Sequence, residues 1–340
     1  MSESMATPGT AINAPLLVVK DLHVDLPLEH GMLHAVRGIS FDVKRGETLC
    51  IVGESGCGKS MTSLAVMGLL PRKAQRSAAQ LTFDGQNLER MSDRRMAALR
   101  GNRMAMIFQE PMTSLNPAYS VGDQLMEALL CHRRAGRREA RERAMHLLER
   151  VGITASERRL AQYPHQLSGG LRQRVMIAMT LMCGPELIIA DEPTTALDVT
   201  TQAQILHLLL ELKREMGLAL VLITHDLGVV ARVADRVAVM YAGEIVETGT
   251  AQEIFGAPRH PYTKGLLSCI PVPGRTQPGK HLGSIPGVVP SLIGPLLECG
   301  FRERCSQAHD PCRRTVPLHP LGPEHAVRCV LAHDGAAVPA

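Results

Sequence analysis

Thr48-Leu-Cys-Ile-Val52 runs directly into Gly53-Glu-Ser-Gly-Cys-Gly-Lys-Ser60, an apolar stretch opening into a glycine loop of the form G-x-x-x-x-G-K-S. An apolar run without alternation predicts a strand buried on both faces, and Ser60 to Leu70, closed by Pro71, predicts a helix. Strand, glycine loop and helix in that order make a phosphate cradle. Glycines let backbone N–H groups wrap phosphate oxygens, a lysine reaches the terminal phosphates, and a serine hydroxyl reaches magnesium. The expected ligands of Gly53, Glu54, Ser55, Gly56, Cys57, Gly58, Lys59 and Ser60 are therefore ATP and Mg2+. Cys57 has two readings: a thiol made acidic by Lys59 and the helix N-terminus, or a small neutral filler.

Working outward, Leu16 to Val24 reads as a short strand, and Ile39-Ser-Phe-Asp-Val43 alternates as a half-buried strand does, which together predict an antiparallel layer. Glu110 to Gly184 reads as mainly helical, with a turn-rich entry from Pro111 to Pro117 and helix signals over Val121–Leu130 and Arg137–Val151. The charged stretch from Arg133 to Arg150 mixes Glu with Arg and carries Met145, Leu147 and Leu148 as an apolar stripe, so it reads as a solvated amphipathic helix rather than a nucleic-acid contact. Leu187–Ala190 and Leu218–Thr224 read as buried parallel strands, with a helix from Thr201 to Met216 between them. These elements predict a layered α/β core. From Ala257 onward the texture turns to Pro, Gly and His with little periodicity and predicts an appendage of irregular structure.

Composition bounds the function classes. A chain of 340 residues with 45% apolar residues buries a substantial core and has room for about two domains. Aromatics are only 3%, without Trp, so that core must be aliphatic. A net charge of +4 gives no argument for a nucleic-acid surface. No run approaches the roughly 18 apolar residues of a membrane-spanning helix, and the first fifteen residues read as a flexible segment without a secretion signal, so a cytosolic location is expected. In such a reducing compartment the nine cysteines are not expected to form disulfides.

Several partner motifs follow the loop in order. They are Gln109 after Met106-Ile-Phe108, Leu167-Ser-Gly-Gly170 before a long helix, Asp191-Glu192 at the end of an apolar strand, Ala196-Leu-Asp198, and His225 after Val221–Thr224. Together with the loop, this set resembles the ATP-binding cassette (ABC) family over roughly Leu16 to Phe255. The resemblance implies an ABC nucleotide-binding domain over residues 16–256, with a RecA-like P-loop NTPase core, an antiparallel β layer and a helical subdomain at about 110–184. It implies that Ser60, Gln109 and Asp191 hold Mg2+, that Glu192 acts as general base or orients water, and that His225 contacts the γ-phosphate. It also implies that Ser168, Gly169 and Gly170 bind the γ-phosphate of ATP held by an opposite subunit, and that Asp198 crosses to that subunit. One departure is that no aromatic lies between Met1 and Ser40 to stack on adenine: Leu26 stands in the expected place, which implies weaker base binding, or binding by apolar contact and a nearby histidine such as His34.

The tail narrows the resemblance. His260-Pro-Tyr262, Ile285-Pro-Gly287 with Pro290, and Cys299, Cys305, Cys312 and Cys329 are similar to the extension, here residues 257–340, of the dipeptide and oligopeptide importer branch. Ile107-Phe-Gln-Glu-Pro-Met-Thr-Ser-Leu-Asn-Pro117 and Tyr163-Pro-His-Gln-Leu-Ser-Gly-Gly170 agree with it. The branch implies ATP-driven peptide uptake at the cytoplasmic face of the membrane, with a second, similar ATPase subunit, two transmembrane permease subunits and an extracytoplasmic substrate-binding protein. It also implies a [4Fe-4S] cluster on the four cysteines. Their spacing alone leaves zinc or free thiols open, and a redox-sensing role is a further reading. Competing functions are import of haem, a nickel complex or glutathione by the same branch, and a soluble ABC ATPase of DNA repair or translation, which the single motif set and the lack of a basic linker disfavour.

Overall fold

Two strands with register shifts begin the fold in the computed structural model, whose described residues are 14–110, 114–194, 198–270 and 283–332. β1 (Leu17–Leu28) and β2 (Gly31–Val43) pair antiparallel, with Leu17 opposite Val43 and Leu28 opposite Gly31. Both exceed the strands expected at 16–24 and 39–43. Register shifts between Val19 and Leu22 and again near Asp25 interrupt the alternation, so a period-2 pattern reveals only the regular parts. β3 (Thr48–Val52) is fully buried as expected, and α1 (Lys59–Met67) follows. The helix ends at Gly68, in left-handed geometry (φ 65°), before Pro71 is reached.

β4 (Gln75–Ser77), β5 (Gln80–Phe83) and β6 (Gln86–Asn87) complete the antiparallel layer, ordered β2-β1-β5-β6 with β4 also on β1. α2 (Asp93–Leu99) and β7 (Met104–Ile107) lead to a helical group, α3 (Val121–His132), α4 (Arg137–Arg150), α5 (Ser156–Leu160) and α6 (Gly169–Thr180). α4 buries Ala140, Ala144, Leu147 and Leu148, packs a half-buried Met145 beside them and is otherwise polar, as its stripe predicted. Then come β8 (Leu187–Asp191), α7 (Val199–Met216), β9 (Ala219–Thr224), α8 (Leu227–Val233), β10 (Arg236–Tyr241) and β11 (Glu244–Thr250). The chain continues through α9 (Ala251–Gly256), α10 (Pro261–Ser268), β12 (His319–Pro320) and β13 (Ala326–Val327).

The main sheet runs β12-β13-β11-β10-β3-β9-β8-β7, parallel from β10 to β7. Its central strands are covered on both sides, and their alternation divides the core. Ile51, Ile189, Val221 and Ile223 join the antiparallel layer and α1, while Val52, Ile188, Ala190 and Leu222 join the helical group through Leu125, Leu148 and Val175. This is the mixed α/β architecture expected of a P-loop NTPase. Among the described residues no helix is long and apolar enough to cross a membrane.

The expectation of a merely irregular appendage is corrected. β13 pairs antiparallel with β11, Glu247 opposite Val327, and α10 buries Tyr262 completely. The pieces are too short for periodicity, because their stability comes from side chains elsewhere in the chain. Fully buried Glu247 accepts hydrogen bonds from the Arg259 N–H (2.7 Å) and His260 N–H (2.9 Å) and pairs with His325 Nε2 (2.9 Å). His260 Nδ1 in turn accepts from the Tyr262 N–H (3.0 Å) and caps α10.

Burial lowers the His260 pKa from 6.5 to about 3, so the folded state holds it neutral. Its contribution to stability is complete above the unfolded pKa and is lost as pH falls toward the folded one. H260N keeps a side-chain acceptor for the cap without a titrating ring. Between about pH 7 and pH 5 the wild type should therefore lose stability relative to H260N, by at most about 1.4 kcal/mol per pH unit below pH 6.5. Urea titrations of both proteins across that range measure the difference, and parallel pH profiles would contradict it.

Candidate functional site

Val52 is in register with Thr224, Asp191 with Ile223, and Ile107 with Ala190. The neighbouring parallel strands β3, β9, β8 and β7 therefore finish at one edge of the sheet. The residues just beyond their ends, Gly53, His225, Glu192 and Gln109, gather there although they are scattered along the chain, at the carboxyl edge where α/β sheets hold ligands.

The loop after β3 is shaped by close backbone approaches. At Gly53 (φ +155°) a Cβ would lie 2.1 Å from the Met240 carbonyl oxygen, and at Gly58 (φ +103°) 2.3 Å from that of Ala35. Lys59 is 4% exposed and donates to the carbonyls of Gly53 and Glu54, each at 2.9 Å, so its ammonium spans the loop. The Ser60 hydroxyl donates to Asp191 Oδ1 at 3.1 Å. Burial raises the Asp191 pKa, against the lowering effect of that hydrogen bond. A buried carboxylate beside a hydroxyl suits a hard cation. Mg2+ takes one or two protein ligands and fills its shell with water and phosphate oxygens, so Ser60 and Asp191 fit it without a larger protein cage.

Glu192 sits in the left-handed region (φ +44°), strained for a residue with a Cβ by about 1 kcal/mol or more, and its N–H donates to the Ile223 carbonyl (2.9 Å). That turn aims its carboxylate over the strand ends. There it accepts from Gln109 Nε2 (3.2 Å) and lies 3.4 Å from His225 Nδ1. Gln109 thus bonds the Glu192 carboxylate, while the Ser60–Asp191 pair stands beside them.

A cleft of about 220 Å³ opens over this constellation. Its polar side is Ser55, Gly56, Gly58, Lys59, Ser60, Gln109 and Glu192, and its apolar side is Leu33, Ala35, Met61 and Leu292. Strand alternation turns Leu33 and Ala35 toward the cleft and His34 away, where its Nδ1 bonds Asp25 Oδ1 (2.6 Å). The histidine suggested by the sequence is therefore replaced by an apolar wall, part of which, Leu292, comes from the C-terminal extension.

Ser168, Gly169 and Gly170 do not line this cleft. Ser168 caps α6 by accepting from the Leu171 N–H (3.4 Å), and Ser168 and Gly169 are exposed. A Cβ on Gly170 would lie 3.1 Å from Thr201 Cγ2, in the first turn of α7, whose cap Asp198 accepts from the Thr201 N–H (3.0 Å). The hydrogen bonding of Thr201 to Asp198 holds that carboxylate below its usual range. Pro111, Met112 and Thr113 of the Gln109 segment, and Thr195, Ala196 and Leu197 before Asp198, lie outside the described residues.

Of the two readings of Cys57, the small neutral filler fits the structure and the acidic thiol does not. The thiol is fully buried, and desolvation pushes its pKa up despite Lys59 beside it. It fills space beneath Gly53. Cys299, Cys305, Cys312 and Cys329 line one pocket of about 10 Å³, room for about one water, and all four thiols are free. Burial raises the Cys299 pKa to about 11 and pushes Cys305 and Cys329 up as well. The donor type suits a soft metal centre, but among the described residues no group of three or more His, Cys, Asp or Glu is placed to hold a metal ion.

Sequence reading missed Leu292 and Arg304 and gave Tyr262 no task. The hydroxyl of Tyr262 accepts the Glu54 N–H (2.9 Å), and Arg304 forks onto the Glu54 carboxylate (2.6 and 3.0 Å). No local signal marks such contacts, because the partners are about 200 or more residues apart.

The model of the ABC transporter family matches residues 36–195, and that of the oligopeptide/dipeptide transporter C-terminal region matches residues 246–312. A probable peptide ABC transporter ATP-binding protein of Sinorhizobium fredii is 52% identical, over 92% of this chain and 94% of that protein. The dipeptide transport ATP-binding protein DppD of Bacillus subtilis is 51% identical, over 94% of this chain and 96% of that protein. Among solved structures, an ATP-binding cassette in a dimeric post-hydrolysis state with ADP and Pi superposes with a TM-score of 0.62 at 27% identity, covering 69% of this chain and 98% of the other.

Gly58 offers a direct test of the loop's geometry. G58A places a methyl against the Ala35 carbonyl in a left-handed backbone, and should lower the unfolding free energy by about 2–4 kcal/mol. A urea-unfolding midpoint unchanged from wild type would show that the loop relaxes freely.

Proposed function

From the premise that the chain belongs to the ABC transporter family, and within it to the branch carrying the oligopeptide/dipeptide transporter C-terminal region, we propose how its cleft works. The protein is the ATP-hydrolysing subunit of a peptide importer and works with transmembrane permease subunits. The residue roles, subunit composition and location below are our reading. The observation that carries it is the convergence of Lys59, Ser60, Asp191, Gln109, Glu192 and His225 at one sheet edge.

In this reading the N–H groups from Gly56 to Ser60 and the Lys59 ammonium hold the β- and γ-phosphates of ATP at the start of α1. Leu33, Ala35 and Leu292 give the base an apolar wall in place of a stacked ring. Ser60 and Asp191, with Gln109 nearby, hold Mg2+, which when bound neutralises charge on the phosphate oxygens. Glu192 accepts a proton from water as that water's oxygen attacks the γ-phosphorus. The bond to the ADP oxygen breaks, and inorganic phosphate forms. Gln109 and His225 keep the Glu192 carboxylate aimed, and His225 also contacts the γ-phosphate.

Ser168, Gly169, Gly170 and Asp198 serve a second ATPase subunit, whose nucleotide they cap from across a dimer interface. The exposure of Ser168, Gly169 and Asp198 apart from the cleft supports this, as does the dimeric state of the related cassette with ADP and Pi. Binding of ATP then closes the dimer and hydrolysis releases it, which drives the permease. The assembly we propose is two ATPase subunits on the cytoplasmic face of two permease subunits, supplied by an extracytoplasmic binding protein. The domain division follows: residues 16–256 form the cassette, with a helical subdomain at about 110–184, and residues 257–340 form the extension.

E192Q should retain ATP binding and hydrolyse about 10²-fold more slowly or worse. Phosphate release by the assembled transporter measures this, and normal turnover would remove Glu192 from the mechanism. The [4Fe-4S] centre is also a proposal, supported by four free thiols on one pocket, two of them buried, and opposed by that pocket's small size. Anaerobically purified protein should then be brown, with a charge-transfer band that C312S abolishes. Colourless protein with one zinc per chain would favour zinc instead.

A further inference from the structure

Glu54, second residue of the phosphate loop, is held at each of its polar groups. Its N–H donates to the Tyr262 hydroxyl (2.9 Å), its carbonyl accepts from Lys59 Nζ (2.9 Å), and its carboxylate takes both arms of Arg304 (2.6 and 3.0 Å). Two of these holds come from beyond the cassette. The Arg304 side chain is only 4% exposed, yet no N–H group of its fork is wasted. Nε donates to the Pro286 carbonyl (2.8 Å), Nη2 also to that of Ile285 (3.1 Å), and Nη1 also to the Tyr241 hydroxyl (3.3 Å). The guanidinium lies over the rings of Tyr241 (5.7 Å) and Phe301 (6.0 Å). Burying a cation this deeply is costly unless it is fully bonded, so the extension presents a rigid, pre-aimed charge to one residue of the loop.

Glu54 is the sole carboxylate between Gly53 and Ser60, in a loop whose ligand is a polyanion. Left unpaired it would repel that ligand. We propose that Arg304 is a positioning residue of the phosphate loop: it neutralises Glu54 and, with Tyr262, fixes the first peptide of the cradle, so that affinity for ATP depends on the C-terminal extension. This rests on the nucleotide reading of the cleft and adds to it a role for the extension in ATP binding.

The test is calorimetric titration of the full-length protein with MgATP, after circular dichroism has shown each variant folded. Wild-type binding establishes the premise; its absence would overturn the nucleotide reading itself. R304Q should bind MgATP about tenfold more weakly, as expected for one uncompensated charge in the loop that holds the phosphates. That deficit should shrink as salt is raised from about 50 to about 500 mM, since screening weakens the repulsion. The double variant R304Q/E54Q should recover most of the loss, because the repelling carboxylate is gone. R304K, which keeps the charge without the fork, should fall between wild type and R304Q, and it carries the test if R304Q does not fold. Wild-type affinity in R304Q or, failing that variant, in R304K overturns the inference, as does a double variant as weak as R304Q.

Discussion

The register of the parallel strands is the constraint from which the site follows. β3, β9, β8 and β7 are hydrogen-bonded side by side, so their carboxyl ends cannot be moved independently. A one-residue slip of β8 would exchange its two faces, sending Ile189 to the helical core and Ile188 to the other, and would carry Asp191 away from Ser60. The two cores on either side of the sheet therefore guard the chemistry as well as the fold. The strained backbone of Glu192 is affordable on this footing, because β8 and the Ile223 carbonyl fix the turn from both sides.

The C-terminal extension belongs to the same construction. It adds β13 to the sheet, seats Tyr262 and Phe301 against Tyr241, and lends Leu292 to the cleft wall. The chain has no Trp and only 3% aromatic residues, yet three of them meet behind the phosphate loop with ring centroids 4.6 to 5.4 Å apart. Backbone continuity on that side is equally close: the His34 N–H donates to the Leu292 carbonyl (2.9 Å), and the Gly294 N–H to that of Met32 (3.0 Å). An element that reads as an afterthought in sequence thus walls and braces the cradle that reads most clearly.

The proposed half-site for a partner's nucleotide has a different physical character. Ser168 and Asp198 are helix caps whose side chains are satisfied within their own helices, so they need nothing from the cleft to be stable. A preformed cap on an exposed surface can engage another subunit with little reorganisation. That independence is why the two motifs keep their local geometry apart from the loop they would complete.

The sequence by itself determined the elements whose chemistry is local. The phosphate loop, the fully buried strands Thr48–Val52 and Ala219–Thr224, the amphipathic helix after Arg137, and the identity of Lys59, Ser60, Asp191 and Glu192 as candidates were all legible, because glycine spacing and apolar periodicity are properties of neighbouring residues. Tertiary structure alone decided the rest. Register shifts hid the length of β1 and β2, burial decided between the two readings of Cys57 in favour of a neutral filler, alternation turned His34 away from the cleft, and Arg304 found Glu54 across 250 residues. Each of these depends on what a side chain meets after the chain has folded back on itself. Desolvation and long-range pairing are properties of the packed molecule, and a linear pattern does not encode them one residue at a time.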